Sequence, residues 1–217
     1  MGFDAIARIA IWLVPVLFSI VIHEVAHGWM AYRLGDPTAK HMGRLTLNPI
    51  PHIDPLGTVI LPLVLLILGG PVFGWAKPVP FNPQNFHPHV NIRRGSMWVA
   101  LAGPGSNLIL GFIASFVLVF LRKFIPLPAS AYMFFSALVG INLFLALLNL
   151  VPVPPLDGSK ILWGFLPPKY DHYFMMLERY GFFIIVILLG SGALSHIVLP
   201  PFKFLYTLFL AIPQFLF

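Results

Sequence analysis

The residues best suited to chemistry lie in the run His23-Glu24-Val25-Ala26-His27, inside a long apolar stretch. Residues four apart on a helix lie on the same face, so both imidazoles point the same way with the carboxylate beside them. Two neutral imidazoles at this spacing can bind zinc while the glutamate acts on a water molecule. The pattern therefore predicts a metal-dependent hydrolytic site, with Glu24 as the catalytic residue and His23 and His27 as metal ligands.

A hydrolytic zinc site needs a third protein ligand and keeps one position open. Asp157 follows an apolar run and a group of prolines, at positions 152, 154 and 155. Unwound backbone at membrane depth is tolerated where it is buried in protein or lines a water-filled cavity. The other aspartates lie in polar segments, so Asp157 is the predicted third ligand; the alternative is that Asp157 caps the helix that follows it.

The composition predicts that lipid is the solvent for most of the chain. Hydrophobic residues make up 59% of the 217 residues and charged residues 9%, whereas soluble domains carry about a quarter charged residues. The net charge of +6 comes without a basic stripe interleaved with aromatics, which argues against nucleic acid as a partner. The absence of cysteine leaves imidazole and carboxylate as metal ligands, a set that suits zinc but also other divalent ions.

Apolar runs predict an all-α polytopic membrane protein with about five to six transmembrane helices in one domain, residues 1–217. About 20 helical residues cross a bilayer, and the predicted helices cover residues 7–34, 96–121, 130–150, 173–197 and 202–217. The last of these is either a short span or an interfacial helix. No small-residue cleavage site follows the first apolar run, so we expect an uncleaved span.

Two shorter segments complete the prediction. The stretch 56–68 is short for a span and is predicted to be re-entrant. The stretch 75–80, with its alternating prolines, is predicted to form a short extended edge strand near the site. Strand addition would then hold an extended substrate there, through Trp75, Lys77, Pro78, Val79 and Pro80. A plain proline-rich surface loop is the alternative for this segment.

The positions of the ligands constrain the topology. His23 and His27 lie near the C-terminal end of the first span, and Asp157 lies just beyond the C-terminal end of the span 130–150, so both spans must run in the same direction. Basic residues crowd the side where these ends meet, at positions 33, 40, 44, 77, 93, 94, 160, 169 and 179, against Arg122 and Lys123 opposite. The positive-inside rule then places the catalytic end toward the cytoplasm of a bacterial or archaeal cell membrane.

Three motifs in order resemble the site-2 protease family of intramembrane zinc metalloproteases. They are residues 23–27, the run Leu101-Ala102-Gly103-Pro104-Gly105-Ser106-Asn107, and the run from Asn149 to Gly158. The resemblance covers the chain from the first helix to about Lys160 and is closest to the compact members without a PDZ or nucleotide-binding module.

The resemblance implies one zinc ion per chain, held by His23, His27 and Asp157, with Glu24 as the base. It also implies that Asn149 contacts the substrate. The implied substrates are transmembrane segments of other proteins, cut within the bilayer.

Other readings of the same residues stay open at the sequence level. Broken helices with intramembrane ionisable groups also build transporters and channels, although no inverted repeat is present. A non-catalytic scaffold with a structural zinc is a second alternative. The imidazoles and the glutamate could also serve as hydrogen-bonding groups between helices.

Overall fold

The fold is described by a computed structural model for residues 2–67 and 76–216. Its helices are α1 (Gly2–Arg33), α2 (Thr38–His41), α3 (Leu61–Ile67), α4 (Ile92–Phe124), α5 (Ala129–Asn149), α6 (Asp157–Phe165), α7 (Asp171–Gly190) and α8 (Ala193–Leu216). Within those two ranges, five helices are long and apolar enough to cross a membrane, namely α1, α4, α5, α7 and α8. The prediction of an all-α polytopic membrane protein is confirmed.

Helices α1, α4 and α5 pack side by side, with α4 antiparallel to both of its neighbours. His27 near the end of α1 contacts Val99 near the start of α4, while His23 contacts Asn107 further along. On the other side of α4, Asn107 bonds Asn142, and Arg122 at the end of α4 lies over the ring of Tyr132 near the start of α5. Helices α1 and α5 therefore run in the same direction, as the ligand positions required.

The outer helices complete the core but expose most of their surface. Helix α8 packs through Phe202 and Leu205 against a buried cluster around Val139 and Leu143. In the most apolar stretch of α7, only 6% of the residues are buried, against 33% in α1. An apolar, uncovered surface of this kind is suited to lipid.

The proline-rich break after α5 is confirmed and brings α6 back against it. Prolines at positions 152, 154 and 155 lack the amide hydrogen that a helix requires, so α5 ends at Asn149. Gly158 then sits so tightly that a Cβ atom there would lie 2.4 Å from the carbonyl oxygens of Leu150 and Val151. The Asp-Gly pair thus lets the chain turn from the break directly into α6.

The predicted edge strand is wrong, because residues 76–80 adopt no strand in the described chain. Pro78 and Pro80 have no N–H to donate to a ladder. Of the three amides that remain, two are used elsewhere: Lys77 N–H donates to His52 O at 2.9 Å, and Val79 N–H donates to a carboxylate of α1. Trp75 lies outside the described residues.

The predicted break between the last two spans is displaced. The prediction ended one span at residue 197 and began the next at 202, whereas α7 ends at Gly190 and α8 begins at Ala193. Gly192 adopts φ +73, the left-handed conformation that terminates helices. Pro200 and Pro201 lie inside α8, as prolines can in membrane helices where neighbouring groups satisfy the freed carbonyls.

The stretch predicted to be re-entrant contains a π-helical turn, Pro55–Ile60, followed by the seven residues of α3. Residue 68 lies outside the described residues. Because α1 ends on the side where α4 begins, a segment that enters and leaves the membrane on one side fits the connection between them.

Beyond α1, a buried carboxylate ties two loops together. Asp36 is fully buried and accepts hydrogen bonds from Thr38 N–H, Asn82 N–H and the Asn85 side-chain amide at 3.1, 2.6 and 2.9 Å. Burial alone would raise the pKa of Asp36, but these hydrogen bonds outweigh it and hold the pKa below its ordinary value.

Acid should therefore loosen this connection. A carboxyl whose pKa is lower in the folded state contributes stability above its unfolded pKa, about 3.9, and loses it as the pH falls through the folded value. We expect the hydrogen-exchange protection of the Asn82 amide, corrected for intrinsic rate, to be full at pH 6 and to fall below pH 4. Asp36→Asn should show low protection at both pH values, and equal wild-type protection at pH 6 and pH 3 would contradict the assignment.

Candidate metal centre

Three potential ligand atoms converge where α1 meets the start of α6. His23 Nε2 and His27 Nε2 are 3.0 Å apart, and Asp157 Oδ2 lies 3.1 and 3.3 Å from them. The side chains of His23, His27 and Asp157 are 9, 12 and 15% accessible. The fold thus brings the predicted ligands together in a nearly enclosed space, although His27 and Asp157 are 130 positions apart in the chain.

The second nitrogen of each imidazole faces an acceptor. His27 Nδ1 lies 2.7 Å from the backbone oxygen of Val99, and His23 Nδ1 lies 2.6 Å from Asn107 Oδ1. Both ring protons therefore belong on Nδ1, which leaves a lone pair on each Nε2. An acceptor that faces the other ring nitrogen in this way fixes the tautomer of a metal-binding histidine.

Asp157 contributes a third lone pair to the same point. Its Oδ2 is buried without a hydrogen-bond donor among the residues that the structure describes, and α6 begins at Asp157 without a side-chain cap, which argues against the capping alternative. Three acceptor atoms facing one another in a buried space repel unless a cation lies among them. This donor set thus calls for a metal ion.

The spacing of the three atoms suits zinc. Ligands at about 2.05 Å from a tetrahedral ion lie about 3.3 Å from one another, close to the separations between the three atoms. Two imidazoles and one carboxylate form the ligand set of hydrolytic zinc sites, which leave the fourth position open. Among the described residues, no other cluster of three or more His, Asp or Glu offers such a convergence.

Gly103 of α4 makes room for both imidazoles. A Cβ atom at this position would lie 2.4 Å from His27 Cε1 and Nε2 and 2.7 Å from His23 Cε1. Real Cβ atoms do not approach this closely, so the observed positions of the two imidazoles require glycine here. At Gly105, two residues along the same helix, a Cβ atom would meet nothing within 4 Å.

These two glycines form a matched pair for mutation. Gly103→Ala should displace both rings and weaken zinc binding at least about tenfold, as displacing the support of a ligand typically does. Gly105→Ala should leave zinc binding unchanged and could gain up to about 1 kcal/mol of helix stability. Zinc affinity can be measured by competition with a metal-binding dye, alongside thermal unfolding. Equal affinity in the two variants would contradict the packing argument.

Glu24 is held by the segment 77–80. Its Oε2 accepts a hydrogen bond from Val79 N–H at 2.7 Å. The segment is fixed in turn by the buried Arg44, whose guanidinium lies 3.4 and 3.2 Å from the carbonyl oxygens of Lys77 and Pro78. Glu24 is thus clamped beside His23 with one carboxylate oxygen occupied.

The remaining predicted site residues that the structure describes lie at the end of α5 and in the segment 77–80. Asn149 is the last residue of α5, and its side-chain amide donates to Leu145 O of its own helix at 3.0 Å. Lys77, Pro78 and Val79 belong to the clamp on Glu24, and Pro80 follows them. Of the predicted substrate-binding residues, only Trp75 lies outside the described chain.

Sequence reasoning missed the support behind the ligands. Asn107 and Asn142 are fully buried in apolar helices and connect to His23, yet the prediction assigned neither a role. A signal for them exists, because uncharged spans rarely bury an amide side chain without a purpose. The run 101–107 was recognised as a motif, and the structure explains two of its residues, Gly103 and Asn107.

Comparisons with known proteins agree with this site. A family model for peptidase family M50 matches residues 126–188. The chain is 39% identical over 193 residues to YwhC of Bacillus subtilis, a candidate zinc metalloprotease, with 87% of this chain and 84% of the relative covered. It is 35% identical to Rip2 of Mycolicibacterium smegmatis, also a candidate zinc metalloprotease, over 83% of this chain and 66% of the relative. No solved structure matches.

The relatives extend to archaea. The candidate zinc metalloprotease MJ0611 of Methanocaldococcus jannaschii is 42% identical over 155 residues, which cover 69% of this chain and 68% of the relative. Identity at this level over most of the chain, together with the family match, identifies the class of protein. The chain belongs to peptidase family M50, the site-2 proteases, which are zinc metalloproteases of the membrane.

Proposed function

We propose that this protein cleaves peptide bonds in transmembrane segments of other membrane proteins, using one zinc ion held by His23, His27 and Asp157. The observation that carries the proposal is the convergence of His23 Nε2, His27 Nε2 and Asp157 Oδ2 within 3.3 Å of one another, while Nδ1 of each imidazole faces another acceptor. Membrane helices surround the site, so the peptide bonds that reach it are those of membrane-embedded chains.

Glu24 is the proposed general base and acid. Zinc in a site of this kind acidifies a water molecule and polarises a carbonyl oxygen. Glu24 takes the proton of the attacking water and delivers it to the leaving amine. Its position directly after His23 and its hydrogen bond from Val79 support this role, because a base must be held in place relative to the atoms that react.

The segment Lys77–Pro80 is the proposed contact for an unwound substrate. Both of its amides are occupied and its prolines have none, so a substrate could pair with it only by donating its own N–H groups to the carbonyls. Trp75 and Asn149 are proposed to contact the same substrate, Asn149 being adjacent to the proline break.

The catalytic end is proposed to face the cytoplasm of a bacterial or archaeal cell. The excess of lysine and arginine at that end supports this orientation under the positive-inside rule. The origin of the relatives, in bacteria and an archaeon, supports the cellular setting. Membership of a protease family disfavours the transporter or channel alternative.

Metal removal tests the proposal directly. Purified protein in lipid vesicles should cleave a model transmembrane peptide, lose that activity after dialysis against a chelator, and regain it with one equivalent of zinc. Magnesium should fail to restore activity, because it prefers oxygen ligands in octahedral geometry. Persistent cleavage by protein shown to be metal-free would overturn the proposal.

A further inference from the structure

We infer that Asn107 and Asn142 are positioning residues that form a hydrogen-bond relay across three helices and fix the ring of His23 for metal binding. The inference deepens the proposed function, since it concerns the residues behind one proposed ligand.

The relay lies wholly inside the protein. Asn107 on α4 bonds His23 Nδ1 through Oδ1 at 2.6 Å, and its Nδ2 donates to Asn142 Oδ1 at 2.8 Å. Asn142 on α5 donates through its own Nδ2 to Ser19 Oγ at 2.7 Å. The residues Ser19, Asn107 and Asn142 are all 0% exposed.

Two backbone carbonyls determine the direction of every hydrogen bond in the relay. Asn142 Nδ2 also faces Leu138 O at 2.8 Å, and a carbonyl oxygen can only accept, so that atom of Asn142 must be the amide nitrogen. Its Oδ1 then faces Asn107, which must answer with a donor. The second carbonyl, Ser19 O, lies 3.1 Å from the same Asn107 Nδ2 and demands a donor as well.

The consequence reaches the metal centre. With its nitrogen committed to Asn142 and Ser19, Asn107 can present only its oxygen to His23, and an oxygen without a proton requires N–H at Nδ1. Nε2 of His23 is therefore left deprotonated and directed at His27 and Asp157. These groups are buried, so each hydrogen bond is costly to leave unmade.

The two histidines differ in how they are supported. His27 is fixed by the backbone oxygen of Val99, which no side-chain substitution removes. His23 depends on two side chains, Asn107 and Asn142, which lie on different helices and are 35 positions apart in sequence. Substitutions in the relay should therefore act on zinc binding through His23.

The experiment measures zinc affinity of the full chain in lipid nanodiscs, by competition with a metal-binding dye, together with thermal unfolding of the metal-free protein. Asn107→Leu should weaken zinc binding by about 10- to 100-fold, the range for lost outer-shell partners. Asn142→Leu should have a smaller effect, because Ser19 O still holds the Asn107 amide. Ser115→Ala is the control, since this buried hydroxyl of α4 bonds only Phe112 O within its own helix.

A conservative variant separates positioning from packing. Asn107→Asp keeps an acceptor for His23 Nδ1–H but loses the donor to Ser19 and Asn142. We expect it to unfold at a lower temperature and still bind zinc within about threefold of the wild type, because carboxylates also serve as partners of zinc-binding histidines. A residue with a merely structural role would lose stability and affinity together.

The relay is overturned if folded Asn107→Leu binds zinc as tightly as the wild type, or if Asn107→Asp loses as much affinity as Asn107→Leu. Should Asn107→Leu fail to fold, the Asp variant and Asn142→Leu still decide the question. If the wild-type protein binds no zinc, the proposed metal centre itself is contradicted. If the wild-type protein binds zinc and cleaves, and the Asn107→Leu variant binds zinc with equal affinity, only the relay is contradicted.

Discussion

Replacing Glu24 by Gln is expected to abolish cleavage while leaving zinc bound. The glutamine has the same shape and can still accept the hydrogen bond from Val79 N–H through its amide oxygen, so the clamp on the side chain survives. It cannot take a proton from water. General acid–base groups contribute about 10²- to 10⁴-fold to rates, and we expect a loss in the upper part of that range because one group serves both proton transfers.

The chain offers a matched control for this change. Glu178, the other glutamate, is exposed on α7, away from the three ligands. Glu178→Gln should cleave a model transmembrane peptide at the wild-type rate, and both variants should carry one zinc per chain by elemental analysis. A Glu24→Gln variant that still cleaved would contradict the role of Glu24 as the base, and one that altered ion flux would favour the transporter reading.

Removing Asp157 is expected to empty the site. Asp157→Ala takes away one of three ligands and leaves two imidazoles on one helix, so zinc affinity should fall by more than the 10- to 100-fold typical of outer-shell changes. Cleavage should disappear with the metal. His23→Ala should behave in the same way, because each residue contributes one corner of the same triangle.

Asp171→Ala is the control for loss of a carboxylate. Asp171 pairs with Arg93 at 3.1 Å and accepts from the Trp163 indole at 2.8 Å, in contacts that do not include the three ligands. It should lower stability and leave zinc content unchanged. If Asp157→Ala retained one tightly bound zinc while His23→Ala lost it, a different residue would be the third ligand.

The parts of the site that sequence reasoning predicts are those with local signatures. His23 and His27 are four residues apart on one helix, so their alignment follows from helix geometry alone. Asp157 could be selected because few carboxylates are available and because prolines break the apolar run just before it. The common direction of α1 and α5 then follows from the need to share an ion.

The parts that escaped prediction depend on contacts between distant residues. Asn142 meets Asn107 across helices, and nothing in the neighbouring sequence of either residue indicates the other. The segment 76–80 looked like an edge strand because prolines favour extended backbone. Whether an extended segment pairs as a strand depends on its partners. Here the Val79 amide donates to Glu24 and the Lys77 amide donates to His52 O. The turn at 190–192 was not predicted. The predicted break lay close to Pro200 and Pro201, which α8 accommodates within the helix.

The hydrogen bond between Val79 and Glu24 restricts the route that protons can take. One oxygen of the carboxylate is engaged at 2.7 Å. In the proposed role of Glu24 as base, the other oxygen would accept the proton from water and release it to the departing nitrogen. Loading and unloading through one atom requires no rotation of the carboxylate between the two halves of the reaction. In the proposed mechanism, water and leaving group would occupy the same position in turn, so the loop that carries Val79 would also dictate the side from which the scissile bond is approached.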